Sequence, residues 1–163
     1  MSLRSAASLR GRMRRRDWWL VQLLATALAV TVSSAMMTVA PNLYERMAFA
    51  EVSVATCVEL AVAAFLQGPL LISNVRRSHD KGRSGWFPAA VQVASFVLTF
   101  VAFPIIGEPP AEGGPVAVIS LAGLMFCGFY LLIALGVPDG TPGPNRYGPS
   151  PKSGMAGRNG QRR

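Results

Sequence analysis

The densest group of residues that could take part in chemistry lies in the stretch VRRSHDKGRSGWFP, residues 75–88. It holds the only histidine of the chain, His79, beside the carboxylate of Asp80 and among basic side chains. Adjacent histidine and carboxylate groups could act as acid and base, so one hypothesis is a membrane enzyme that acts on lipid. However, no nucleophile or metal-binding cluster accompanies the pair. We therefore expect no enzymatic activity, no catalytic residue, no cofactor and no metal site.

The same stretch also has the composition of a tight turn between two helices. Gly82 and Gly85 permit sharp bends. Ser84 is placed to cap a following helix that has Pro88 in its first turn. Trp86 would then anchor that helix at a membrane interface. A generic turn would not require a histidine, a carboxylate and several cations together, so the pattern leaves a structural and a functional interpretation open.

A second candidate residue is Glu59, the only ionisable residue deep inside an apolar stretch. It lies seven residues after Val52, which is about 11 Å along a helix and within about 4 Å of the midplane of a hydrocarbon core of about 30 Å. One interpretation is ion handling in a small oligomeric transporter or channel subunit. We favour a hydrogen bond to a neighbouring helix, because a lone carboxylate makes no relay. The expected partners at this depth are Ser33, Ser34, Thr99 and Ser120.

These residues are set among four long apolar stretches, residues 18–40, 52–73, 87–106 and 116–137. A helix of about 20 residues crosses a hydrocarbon core, and a lipid-exposed backbone must satisfy its own hydrogen bonds. Only 15% of the residues are charged and 51% are hydrophobic, which argues against a disordered chain or a soluble enzyme. The sequence predicts an all-α fold: a polytopic membrane protein with a four-helix transmembrane bundle, in which short loops make neighbouring helices antiparallel.

Lysine and arginine are distributed unevenly between the two sides of the predicted bundle. Fifteen lie in the N-terminal segment, the second loop and the C-terminal tail, and one, Arg46, lies in the other two loops. Because basic segments stay cytoplasmic, we expect a multi-pass protein with both termini cytoplasmic. This topology accounts for the positive charge, so no nucleic acid partner is expected. The expected partners are anionic lipid headgroups, a protein or a second copy of the chain.

Two polar segments flank the predicted membrane domain, residues 17–137. Residues 1–16 are predicted to be a basic cytoplasmic arm, and residues 138–163 a basic cytoplasmic tail. The tail has six glycines and five prolines in 26 positions. A segment of this composition has little apolar surface to bury, so we expect it to be disordered.

Three segments resemble motifs of the domain of unknown function 805 family, which are small bacterial inner membrane proteins. RRSHDKGRSGWF resembles the family signature RRLHDxGxSGWW, GRMRRRDWWL (residues 11–20) resembles GRxxRxxFW, and GTPGPNRYGPSP (residues 140–151) resembles GxNxYGxDP. The departures are Ser78 for leucine, Phe87 for the second tryptophan and Ser150 for aspartate. The resemblance implies a multi-span protein of the inner (plasma) membrane and implies no activity.

The predicted topology places all three motifs on the cytoplasmic face, where their residues should contact one another or a shared ligand. We weigh an interhelical clamp against a site for an anionic headgroup or a partner, and we favour the clamp. The function expected is a non-enzymatic scaffold or interaction protein with a basic cytoplasmic face, and the alternative is the transporter or channel subunit that uses Glu59. The candidate cluster comprises Arg12, Arg15, Arg77, His79, Asp80, Gly82, Ser84, Gly85, Trp86, Asn145, Tyr147 and Gly148.

Overall fold

The structure, a computed structural model, describes residues 9–44, 53–102 and 110–151. Within these ranges the regular structure is helical and no β-strand is present, which confirms the predicted all-α class. A 3₁₀ turn, Pro41–Tyr44, follows the first helix, and a π-helical turn, Leu132–Gly136, continues the last one. The α-helices are α1 (Arg15–Val39), α2 (Val54–Asp80), α3 (Trp86–Ala102) and α4 (Pro110–Leu131).

Three of the described helical stretches are long and apolar enough to cross a membrane: α1, α2 and Val118–Gly136, which joins the end of α4 to the π-helical turn. They lie in the first, second and fourth apolar stretches of the sequence. Helix α3 occupies the third stretch and has 17 residues. The remainder of that predicted span, residues 103–106, lies outside the described residues.

Helices α1 and α2 extend beyond the predicted spans at the ends where the basic motifs lie. Helix α1 begins at Arg15 instead of residue 18, and α2 runs 27 residues to Asp80 instead of ending at Ser73. Hydropathy locates the end of the apolar surface, whereas a helix continues as long as its backbone hydrogen bonds do. The 27 residues of α2 correspond to about 40 Å, so its last two turns carry the central motif past the apolar stretch.

In this bundle most large apolar side chains are exposed, which is the reverse of the pattern in a water-soluble protein. Helices adjacent in sequence pack together, and α1 also contacts the π-helical turn. Among the residues that the structure describes, the buried apolar cluster consists of Trp18, Leu131 and Leu135. Along the helices, large apolar side chains point outward: Leu24 is 68% exposed and Phe65 is 74% exposed. Such a surface suits helices that are surrounded by lipid tails.

The buried apolar cluster lies where α1 and α3 begin and where α2 and α4 end, and we call this the basic end of the bundle. Every lysine and arginine in the described ranges lies there. The ten residues are Arg10, Arg12, Arg14, Arg15, Arg16, Arg76, Arg77, Lys81, Arg83 and Arg146.

The predicted disorder of the tail is wrong for residues 138–151, which we call the closing segment. This segment folds back onto the end of α2; for example, the amide of Thr141 donates to the carbonyl of Asp80 at 2.8 Å. Composition misled because the closing segment is held by hydrogen bonds from charged and amide side chains, and these require no apolar surface. The rest of the predicted tail, residues 152–163, lies outside the described residues.

Candidate functional site

The centre of the basic end is the carboxylate of Asp80, which lies between two guanidinium groups. Its Oδ1 accepts from Nε of Arg12 at 2.9 Å, and its Oδ2 accepts from Nη1 of Arg77 at 2.5 Å. The side chains are 4% exposed for Asp80, 2% for Arg12 and 0% for Arg77. We call these three residues the ionic clamp. Because the N-terminal arm supplies one arginine and α2 the other, the clamp joins two segments that are 68 positions apart.

Backbone carbonyls accept most of the other hydrogen bonds of the clamp. Arg77 donates through Nε to the carbonyl of Leu135 at 2.8 Å, and through Nη2 to the carbonyl of Pro138. Arg12 donates through Nη1 to Gly143 at 2.6 Å and through Nη2 to Thr141 at 2.7 Å. A guanidinium has five N–H groups, and here they bridge the arm, the end of α4 and the closing segment.

The closing segment fits around the end of α2 with little free space. Asn145 donates through Nδ2 to the carbonyl of His79 at 3.0 Å, and its backbone pairs in both directions with Gly148. Gly148 has φ +125°, a conformation that favours glycine. A Cβ atom at Gly140 would collide with the carboxylate of Asp80. The segment therefore covers the clamp and separates it from solvent.

His79 is held in a stack outside the ionic clamp. Its ring lies parallel to that of Tyr147, with centroids 3.8 Å apart, and its Nδ1 is 3.3 Å from the carbonyl oxygen of Gly11. The guanidinium of Arg146 lies 4.8 Å from the centroid of the Tyr147 ring. His79 lies beyond the apolar stretch 52–73. Burial lowers its pKa from the usual range, the hydrogen bond with Gly11 partly offsets this, and Arg146 lowers the pKa by a smaller amount.

The turn between α2 and α3 supports the stack and begins the next helix. Gly82 has φ +70°. The hydroxyl of Ser78 donates to the carbonyl of Ser84 at 2.8 Å. A Cβ at Gly85 would lie 3.1 Å from Nε2 of His79. The proposed cap is weak, since the amide of Trp86 reaches the hydroxyl of Ser84 only at 3.5 Å.

The other sequence-predicted residues lie at the edge of the cluster or outside it. Trp86 is 70% exposed. Arg15 donates to the carbonyl of Val137 at 3.0 Å and pairs with Asp139 at 3.6 Å, both largely exposed. Glu59 lies 21 positions before Asp80 on α2, about 31 Å away along the helix. Its hydrogen bond to a neighbouring helix stays a prediction.

A chain of buried and half-buried amide side chains links three helices next to the clamp, and sequence reasoning missed its central residue. Asn74 accepts from Nε1 of Trp18 at 2.8 Å and donates to Oε1 of Gln92 at 2.8 Å. Gln92 in turn donates to Gln67 at 2.5 Å, and Gln22 donates to Asn74 at 3.3 Å. The available signal was the position of Asn74, which directly precedes the VRRSHD motif at the end of an apolar stretch.

Several residues of the closing segment also escaped sequence reasoning. Gly140, Thr141 and Gly143 all contact the clamp. They lie within the segment that resembles the closing motif of the family. The motif letters alone gave no reason to assign them contacts with Arg12 and Asp80.

Chemically, this arrangement is closed. Every buried side-chain nitrogen and oxygen in the described residues has a hydrogen-bond partner. Within the same residues, no group of three or more His, Cys, Asp and Glu side chains could hold a metal ion. The ionic clamp therefore tightens the end of the bundle and leaves no buried polar group free for a ligand.

The fold and this site define a class of protein: apolar helices, three of them long enough to cross a membrane, joined at one end by a buried ionic clamp. The chain belongs to the family described as "Protein of unknown function (DUF805)", whose model matches residues 6–149. This confirms the resemblance seen in the three motifs, all but two residues of which lie within the matched range. No curated protein and no solved structure matches the chain.

Proposed function

We propose that this protein is a non-enzymatic scaffold of the bacterial inner membrane, in which four spans hold a basic cytoplasmic face against anionic lipid headgroups. The observation that carries the proposal is the division of the cations at the basic end. Arg12 and Arg77 are buried in the ionic clamp, whereas Arg16, Arg83 and Arg146 are exposed around it. The clamp thus fixes the end of the bundle, and the exposed arginines are free to face a surface.

An enzymatic role is less well supported by the same geometry. The carboxylate of Asp80 is 4% exposed and is paired with two guanidiniums, so it is poorly placed to exchange a proton with a substrate. His79 is stacked on Tyr147 and lies against the arm. Neither group of the candidate acid–base pair points into an open site.

The transporter alternative would require polar groups that connect Glu59 to the basic end. The amide chain ends at Gln67, and between these two residues α2 has only apolar side chains, residues 60–66. The scaffold proposal does not require such a path, so we favour it.

The proposed topology is tested with reporter fusions. Fusions at Lys81 and after Pro151 are expected to report a cytoplasmic location, and fusions at Tyr44 and Gly113 an external one. An external signal at Lys81 would contradict the four-span arrangement with both termini inside.

Lipid preference is tested with the full-length protein in vesicles. We expect preferential retention of phosphatidylglycerol over phosphatidylcholine, weakening as salt screens the exposed charges. The variant Arg16→Gln/Arg83→Gln/Arg146→Gln should lose this preference, since each exposed cation near an anionic surface contributes about 1 kcal/mol. The matched variant with lysine at the same three positions should keep it. Equal retention of both lipids by the unmodified protein would overturn the proposal.

A further inference from the structure

Beside the ionic clamp lies an open cavity of about 260 Å³ between the turn that follows α2 and the end of α4. Its polar side is formed by Lys81, Arg83 and Ser84, and its apolar side includes Phe87 and Tyr130. The aromatic wall is well defined, because the rings of Phe87 and Tyr130 meet edge to face at 5.4 Å. No carboxylate lines the cavity, so its two cations face a space without a counter-charge from the lining.

The cations of the cavity have unused hydrogen-bond donors. Lys81 donates through Nζ to the carbonyl of Ala134, which leaves two of the three donors of an ammonium group. Arg83 is exposed, and its guanidinium makes no hydrogen bond or ion pair with any residue that the structure describes. Burial lowers the pKa of Lys81, and the nearby Arg83 and Arg77 lower it further. An anion in the cavity would relieve this repulsion.

An apolar groove continues from the cavity along α4. It has a volume of about 270 Å³ and shares Tyr130 and Ala134 with the cavity. Its remaining lining residues are Phe126, Phe129 and Ile133, of which Phe126 is 73% exposed and Ile133 is 62% exposed. From Ala134 in the π-helical turn back to Phe126 in α4 the groove follows about two helical turns, about 12 Å. Polar donors thus lie at one end and an exposed apolar surface extends from them.

We infer that the cavity and the groove together bind one anionic phospholipid, with its phosphate at Lys81, Arg83 and Ser84 and an acyl chain along Phe126 and Ile133. The inference rests on the proposed function, and it deepens that function by assigning a particular site. The cavity volume is that of several water molecules, at about 30 Å³ each, which suits a phosphate with part of its glycerol. A soluble anion would use only the cavity, and a neutral lipid only the groove.

Native mass spectrometry of the full-length protein, loaded from phosphatidylglycerol vesicles, tests the polar half of the site. Arg83→Gln should lower phosphatidylglycerol retention by clearly more than about fivefold, because it removes the general attraction of one cation to an anionic lipid, itself about fivefold, and also the hydrogen bonds of its guanidinium to the phosphate. Arg16→Gln removes another exposed charge of the basic end that does not line the cavity, so it measures the general electrostatic contribution and should lower retention by about fivefold at most. Equal losses in the two variants would overturn the site while leaving the proposed function standing.

The apolar half of the site is tested by filling the groove. Ile133→Trp should lower retention of phosphatidylglycerol, and Leu24→Trp, at a similarly exposed position on α1, should not. A loss in neither variant, or an equal loss in both, would overturn the groove as the acyl site. Glycerol phosphate in large excess provides the last arm: displacement of the lipid would identify a soluble anion as the ligand, and continued retention supports a phospholipid.

Discussion

Helix α2 buries polar side chains at its basic end and exposes large apolar side chains along the rest of its length. At the basic end, Asn74 and Arg77 are 1% and 0% exposed. Farther along, Phe65 is 74% exposed and Val58 is 39% exposed. Lipid tails are as apolar as leucine, so burying apolar side chains between helices gives little free energy in a membrane. The comparison indicates that the polar contacts at the basic end, more than the apolar surfaces, specify how these helices associate.

The largest effect should come from the charge at the centre of the clamp. Asp80→Asn leaves two buried guanidiniums without a counter-charge, and breaking a buried pair in this way costs about 3–5 kcal/mol. We expect a corresponding fall in the free energy of unfolding in detergent micelles and a low abundance in membranes. The control is Asp139→Asn, because Asp139 is 64% exposed and lies 3.6 Å from Arg15; it should change the free energy by less than about 1 kcal/mol. Similar losses in both variants would mean that the buried clamp contributes no more to the free energy of unfolding than an exposed ion pair.

The second-largest loss of stability should come from crowding the carboxylate of Asp80. A Cβ atom at Gly140 would overlap the carboxylate of Asp80, so Gly140→Ala should displace the closing segment and lower the free energy of unfolding by about 1–3 kcal/mol. Gly128→Ala on α4 is the matched change, since a Cβ there meets nothing within 4 Å. That control should be neutral or should stabilise by up to about 1 kcal/mol through helix propensity. A neutral Gly140→Ala would show that the segment does not cover the clamp.

The amide chain should give a smaller but measurable effect. Asn74→Ala removes the partner of Trp18 Nε1 and of Gln92 Oε1, and unsatisfied buried groups of this kind cost about 1–2 kcal/mol. Thermal unfolding in micelles measures the loss. Thr99→Ala serves as the control, because among the described residues the hydroxyl of Thr99 donates to the carbonyl of Ser95 in its own helix, at 2.9 Å, and links no second helix. If the two variants are equally stable, the amide chain does not hold the helices together.

The smallest effect concerns pH and the stacked histidine. Burial lowers the pKa of His79 in the folded protein below its unfolded value of about 6.5, so the unfolded chain binds more protons in the interval between the two values. The stability contribution is fully present above about pH 6.5 and is lost as the pH falls below it. We expect a shallow decrease in unfolding temperature from neutral to mildly acidic pH. His79→Phe keeps a ring against Tyr147, and its unfolding temperature should lose this dependence; an unchanged slope would assign it to another group.

The positions of the helices follow from the sequence because the apolar stretches are long and nearly free of charge. The helix ends do not follow in the same way. Arg77 and Asp80 are as compatible with a helix as with a turn, and hydropathy places them in a loop. Their helical conformation is stabilised by partners far along the chain, Arg12 and the carbonyls of residues 135 and 138.

The members of the candidate site were partly predictable from the sequence. The three motifs and their common face identified Arg12, Arg77, Asp80 and Asn145 as members of one cluster, and the structure brings them together. The folded conformation of the closing segment was not predictable from its composition. A high glycine and proline content shows that a segment has little apolar surface, but it does not show that Arg12 donates hydrogen bonds to that segment. Asn74 was missed because a single polar residue at the end of an apolar run resembles an ordinary span boundary.

The contact of Arg12 with both Gly143 and Asp80 has a consequence for biosynthesis. Translation proceeds from the N-terminus, so the arm that carries Arg12 is made before the closing segment. The three residues of the ionic clamp are made before residues 141 and 143, so Arg12 gains these two carbonyl acceptors only after α4 has been synthesised. A chain that stops before residue 140 would therefore carry the charges of the clamp without the segment that covers them.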